Sequence, residues 1–194
     1  MRARAIVLGA RGHGALDRLL LGSVSRGVVR RAACAVLIVK GRPRKVRRLV
    51  IGLDGSAHSR RVVEFVAGLH RPAGGRITLV SIVEPGRVPA MALVPASVRA
   101  AVRGQAAGLT EEALRTARRE VEGAARRLEA AGWTARPLVR LGVPLPELLR
   151  SVRAARADVL GLGARGIGGL ARLLLGSVAE GALSRSPVSV LIVK

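Results

Sequence analysis

The chain has 194 residues and is 49% apolar, enough for a full core, and that core must be aliphatic because Phe65 and Trp133 are its only aromatics. Its net charge of +22, from 34 Lys+Arg against 12 Asp+Glu, would attract nucleic acid, anionic lipid or acidic partners without base specificity. The near absence of aromatics removes the stacking platforms of a single-strand binder, and the lone Cys34 excludes an intramolecular disulfide.

Residues 5–40 and 159–194 align without a gap at a constant offset of 154 positions, and both copies end in VLIVK. The repeat keeps Gly9, Gly12, Gly22 and Ser23 in the first copy and Gly163, Gly166, Gly176 and Ser177 in the second. The apolar run at the start spans only residues 5–8, too short for a signal sequence. Pro89, Pro95 and Arg99 interrupt the longest loosely apolar stretch, residues 88–102, so no membrane span is expected and the reading is cytoplasmic. Cys34 corresponds to Val188, which predicts a small buried hydrophobe rather than a reactive thiol.

A basic linker, residues 41–46 with Pro43, separates the first copy from residues 47–194. Residues 48–53 (RLVIGL) read as a buried strand ending at Asp54-Gly55-Ser56. Ser56 is placed to cap a helix whose core face is Val62, Val63, Val66 and Leu69, stopped by Pro72 and Gly74-Gly75. Residues 77–83 are a second strand. Residues 84–108 contain three prolines and no sustained period, which predicts a long loop. Residues 110–131 form an amphipathic helix capped by Thr110, with a stripe of Leu114, Ala117, Val121, Ala125 and Leu128, read as solvated scaffold.

Residues 133–141 give a third strand and residues 144–155 a third helix, with Pro146 tolerated in the first turn. Residues 158–163 give a fourth strand, residues 177–185 a fourth helix and residues 188–193 a fifth strand. Near-continuous apolar strands alternating with helices imply an α/β, doubly wound, parallel sheet covered on both faces. By the same reading residues 1–40 are a β-α-β remnant of a second such unit.

In an open parallel sheet, ligands sit beyond the carboxyl ends of the strands where the strand order reverses. Gly163-Ala-Arg-Gly166 directly follows a strand, and glycines let successive N–H groups converge on an anion. Gly176-Ser177 begins a helix, where unpaired N–H groups and a hydroxyl favour phosphate oxygens. No P-loop occurs. GLGARG spells a dinucleotide fingerprint at residues 161–166, but no acid follows at the required distance, and Val7 replaces Gly161 in the first copy. Asp54 could accept from ribose or adenine, or could serve an Asx turn with Gly55. Arg165 and Arg172 flank the glycines. His13, His58 and His70 form no visible metal or triad constellation.

VIGLDGS at residues 50–56, Gly142-Val-Pro144, and GARG with nine residues before GS resemble the universal stress protein family. The resemblance covers residues 47–194 in full and 2–40 as a carboxyl-terminal portion. It implies a five-stranded parallel sheet of order 3-2-1-4-5, of the adenine-nucleotide α-hydrolase-like kind. It further implies ATP, with Mg²⁺, as ligand. By position, Asp54 and Ile82 would line the adenosine site, while Gly163, Gly166, Gly176, Ser177 and Val178 would hold phosphates, with Arg165 alongside. Ala164 stands where the family often has serine. The family dimerises through its last strand, so Val36, Leu37, Ile38 and Val39 are expected to lie against Val190, Leu191, Ile192 and Val193 as an intramolecular pseudo-dimer, or the chain is expected to form a homodimer. One complete nucleotide site is expected. The expected function is a stress-response regulator or binding module without catalytic turnover. The alternatives are a slow ATP-hydrolysing or adenylating enzyme of the same broad fold and a basic nucleic-acid-associated protein.

Overall fold

The computed structural model describes residues 3–10, 22–41, 45–85, 96–166 and 175–194. The expectations for Gly12, His13, the centre of the linker and Arg172 fall outside them. Among the described residues seven strands form one sheet of order β1-β2-β7-β6-β3-β4-β5. They are β1 (Ala5–Gly9), β2 (Ala35–Val39), β3 (Arg48–Leu53), β4 (Arg76–Val83), β5 (Thr134–Leu141), β6 (Val159–Gly163) and β7 (Ser189–Val193). The expected five-stranded sheet is thus corrected to seven. The run β5-β4-β3-β6-β7 is continued by β2 and β1, because the first copy adds its two strands to the same sheet.

All pairings are parallel except one. β2 runs antiparallel to β7, with Val36 opposite Ile192, Leu37 opposite Leu191 and Ile38 opposite Val190. Leu37 and Leu191 are equivalent positions of the repeat, so a local twofold axis passes through this pair. The hydrogen bonds repeat around it. Ala10 N–H donates to Val39 O at 2.9 Å and Gly22 N–H to Ala10 O at 3.0 Å, as Ala164 does to Val193 O at 2.8 Å and Gly176 to Ala164 O at 2.9 Å. Lys40 Nζ donates to Ser186 O and Lys194 Nζ to Arg30 O, each lysine reaching the carboxyl end of the other copy's helix. Cations are favoured there by the helix dipole.

The helices are α1 (Ser23–Arg31), α2 (Ala57–Ala67), α3 (Ala96–Ala130), α4 (Pro144–Ala154) and α5 (Ser177–Arg185). Val29 of α1, Leu148 and Leu149 of α4 and Leu183 of α5 build the core on one sheet face with Val36, Ile38, Leu160 and Ile192. Val62 and Val66 of α2 and Val121 and Leu128 of α3 build the other with Ile51, Leu79 and Leu191. The sequence reading needs three corrections. α2 ends at Ala67 with Gly68 as its C-cap, so Leu69 lies beyond the helix and is 40% exposed. Cys34 is half-buried, as is Val188.

The third correction concerns α3, which starts at Ala96, inside the expected loop. Helix-favouring alanine, arginine and glutamine outweigh Gly104 and Gly108 there. Thr110 is no cap; its Oγ1 donates back to Ala106 O at 2.8 Å in the helix interior.

Asp158 ties the sheet together at the end opposite the glycines. Its Oδ2 accepts from the N–H groups of Arg47 at 2.9 Å and Arg48 at 2.8 Å, with the Arg48 guanidinium 3.6 Å from Oδ1. Burial pushes its pKa up, but these donors outweigh burial and hold the carboxyl below its ordinary value. We expect Asp158→Asn to cost about 1–3 kcal/mol at neutral pH. Because the folded pKa is the lower one, this contribution is present above the unfolded carboxylate range and is lost as pH falls through the folded pKa. Denaturant melts from pH 7 to pH 2 should show the wild-type and variant stabilities converging at the acid end.

Candidate functional site

A cavity of about 1000 Å³ opens at the carboxyl ends of β3, β4 and β6, where the strand order turns back. Asp54, Ile82, Gly163, Arg165, Gly166, Gly176, Ser177 and Val178 all line it. One crevice therefore gathers every residue singled out for binding, although they span residues 54–178 of the chain.

Each arrives for a local reason. The buried apolar run of β3 ends at Leu53, and Gly55 turns the chain with φ +78°, a conformation that favours glycine. Asp54 Oδ1 accepts from Ser56 N–H at 3.0 Å, which is the Asx turn. Its other oxygen, Oδ2, points at Gly166, where an added Cβ would sit 2.6 Å away. The two readings of Asp54 are thus compatible: one oxygen shapes the turn and the other faces the crevice. Ser56 Oγ accepts from Ser59 N–H at 3.1 Å to cap α2 and donates to Arg165 O at 3.3 Å, joining the α2 turn to the glycine segment.

Gly163 packs on the backbone of α2, since a Cβ there would lie 2.8 Å from His58 C and 2.9 Å from Ser59 N. Gly176 lies against the same segment, its Cβ position 3.4 Å from Gly166 N and 3.5 Å from Arg165 Cα. It is the N-cap of α5 and supplies no side-chain cap, so the first-turn N–H groups keep their capacity for an external acceptor. The exposed Ser177 adds a hydroxyl beside them.

The corner near Arg165 is cationic. Burial lowers the His58 pKa, and Arg61, Arg165 and Lys194 lower it further against the opposing pull of Asp54. Burial, then Arg165, likewise lowers Lys194. His58 is therefore neutral at pH 7, with positive charge around it. Among the described residues no group of three His, Cys, Asp or Glu side chains is placed to hold a metal ion.

Sequence reasoning missed three kinds of wall. Glu84 directly follows β4 and also lines the cavity, a second acid at a strand end beside Asp54. Thr116, Ala117 and Glu120 come from α3, which is therefore part of the site rather than mere scaffold. Glu120 packs over the turn, its Oε1 2.8 Å from the Cβ position of Gly55. Pro144 and Leu148 of α4 complete the apolar side. Glu84 could have been found from its place after a strand; α3 offered no such signal, because only tertiary packing brings it over Gly55.

This is a doubly wound α/β protein with a glycine-lined crevice at its switch point, acidic along the β3, β4 and α3 wall and cationic near Arg165. The chain belongs to the universal stress protein family, whose sequence profile matches residues 1–40 and 45–194. Universal stress protein Rv2005c of Mycobacterium tuberculosis is 30% identical over 216 residues, covering 99% of this chain; the chain spans 62% of that relative's length. A universal stress protein from Archaeoglobus fulgidus superposes with a TM-score of 0.63 at 23% identity over 98% of this chain and 60% of its own. A universal stress protein solved in complex with cAMP superposes with a TM-score of 0.56 at 25% identity, over 78% of this chain and 98% of its own. Among the described residues no helix is long and apolar enough to cross a membrane.

Proposed function

We propose that the crevice binds ATP and that the protein is a nucleotide-dependent regulator or binding module of stress responses rather than a catalyst of turnover. The observation that carries this reading is the cradle of Gly163, Gly166 and Gly176 with the uncapped start of α5 opposite Asp54. The Gly166 N–H and the first-turn N–H groups of α5 take the phosphates, with Gly163 and Gly176 keeping side chains out of the cradle, and Arg165 with Lys194 supplies positive potential nearby. Asp54 and Ile82 hold the adenosine end, with Glu84 and Glu120 within the same wall. A Mg²⁺ ion brought with ATP rides mainly on the phosphates, as that ion commonly does. The neighbour bound to cAMP supports an adenine nucleotide as the ligand class.

The test is calorimetric titration of Mg-ATP into the full chain, with cAMP as comparison, while the His58 ring resonances are followed against pH. We expect one-to-one binding of ATP with micromolar dissociation and no accumulation of ADP or AMP above background. Bound phosphate offsets the charges that depress His58, so its pKa should rise on saturation. A folded protein that leaves both signals unmoved sinks the reading.

The reading also includes an intramolecular pseudo-dimer about Leu37 and Leu191, supported by the β2–β7 pairing. Removing residues 1–44 uncovers the β7 edge and a flank of core. A chain of residues 45–194 is expected to dimerise by self-pairing of β7 with Leu191 opposite Leu191. Sedimentation should show twice the monomer mass; a well-folded monomer would refute the pseudo-dimer.

A further inference from the structure

The two ends of the β6-β3-β4 strands differ in charge. Asp54 and Glu84 follow the carboxyl ends of β3 and β4, and Glu147 and Glu180 lie in the first turns of α4 and α5, on the crevice side. The opposite end is basic. Residues 45–48, 68–76 and 153–158 lead into β3, β4 and β6, which are neighbours in the sheet. They carry Arg47, Arg48, Arg71, Arg76, Arg153 and Arg156, all exposed. Asp158 is the one acid in these segments, and it is already committed to the Arg47 and Arg48 N–H groups and the Arg48 guanidinium.

Ordinary folding forces account for part of this face. Asp158 offsets Arg48, and Arg153 lies in the last turn of α4, where the helix dipole favours a cation. Two of the others work against the fold. Arg76 stands opposite Arg48 in the β3–β4 register, and like charges at facing strand positions repel. Among the described residues no carboxylate pairs with Arg76. Arg156 holds φ +48°, in the left-handed region, just past the end of α4 where glycine is the usual choice. A glycine there would serve the fold better. Cations kept where they cost stability call for a polyanion outside the chain.

The array suits one polyanion best. Neighbouring strands lie about 4.8 Å apart, so β6, β3 and β4 set their arginines across about 10 Å, and each guanidinium fork can grip a phosphate through two N–H groups. The phosphates bordering a duplex groove are separated on that scale, about 6–12 Å. A single strand would need aromatic side chains to stack its bases, and Trp133 is buried. A bilayer would need apolar side chains to enter it, and these segments offer Val46 and Leu69, 38% and 40% exposed. We propose that the amino-end face of β3, β4 and β6 binds the phosphate backbone of double-stranded nucleic acid without reading its bases. The face lies across the sheet from the crevice, so the proposal stands independently of the nucleotide reading.

The test follows a labelled DNA duplex of about 20 base pairs by anisotropy as the full chain is added, between about 50 and 200 mM salt. Two triple variants remove the same net charge. Arg71→Gln, Arg76→Gln and Arg156→Gly together strip the amino-end face. Arg118→Gln, Arg119→Gln and Arg126→Gln together strip exposed positions of α3. We expect wild-type binding to weaken steeply with salt. The amino-end triple should bind at least tenfold more weakly, with the slope of log affinity against log salt flattened by about 2.7, the equivalent of three phosphate contacts. The α3 triple should stay within about threefold of wild type, the effect of net charge alone. The amino-end triple should melt no lower than wild type, since glycine relieves the backbone at 156 and glutamine relieves the repulsion at 76. No saturable, salt-dependent binding, or equal weakening by the two triples, overturns the proposal. So does equal affinity for a single strand of the same length. Tighter binding to vesicles of equimolar phosphatidylserine and phosphatidylcholine also overturns it, by assigning the face to a bilayer.

Discussion

Gly163→Ala is expected to lower stability by about 3 kcal/mol, a loss at the top of the usual range for overpacking. In a chain of this size that corresponds to a fall in Tm of roughly 6–12 °C. The new methyl would lie 2.8 Å from both His58 C and His58 Cβ and 2.9 Å from Ser59 N. These are backbone or near-backbone atoms, with no flexible side-chain end to yield. The first turn of α2 cannot slide aside cheaply, since Ser56 Oγ holds Ser59 N–H and Arg165 O together. Gly123→Ala is the matched control. It lies in the interior of α3 with nothing within 4 Å of its Cβ position, so it should stabilise by about 0.5–1 kcal/mol through helix propensity alone. Equal melting points for the two variants would show that the close approach of β6 to α2 does not govern the glycine at 163.

The contrast between these glycines shows what the sequence could tell. Gly163, Gly166 and Gly176 announced themselves because the repeat preserves them, and strands announced themselves as apolar runs between turn residues. Residues 96–108 lack any such marker, and the nearby prolines with no sustained period hid the first turns of α3. Propensity summed over neighbours overrides a single glycine, and local pattern cannot weigh that sum against nearby prolines. Contacts between distant segments were legible only in part. The antiparallel register of β2 on β7 and the curl of α3 over Gly55 depend on contacts between segments more than fifty residues apart. A repeat hints at the first; nothing in the local pattern around Glu120 hints at the second.

The crevice follows from parallel topology, which leaves strand ends and helix starts facing one another wherever the order reverses. Its chemistry then depends on side-chain size at a few points of contact, above all between Asp54 and Gly166.

Gly166→Val and Asp54→Ala should therefore each reduce ATP affinity at least tenfold, by different routes. A Cβ at position 166 would stand 2.6 Å from Asp54 Oδ2, and Oδ1 is already committed to Ser56 N–H. The aspartate must leave its turn or the glycine segment must move outward, and either change disrupts both ends of the crevice. Asp54→Ala leaves the cradle open and removes only the acceptor, at a cost to the turn of about 1 kcal/mol in stability. Gly176→Val makes the comparison graded, because its Cβ position meets Gly166 N at 3.4 Å, an ordinary contact. It should disturb the fold least while its methyls occupy the space beside the first turn of α5, so affinity falls with little change in melting. Discrimination between ATP and 2′-deoxy-ATP should shrink in Asp54→Ala alone if that oxygen holds the ribose. Unchanged ATP affinity in all three folded variants would place the nucleotide outside this crevice.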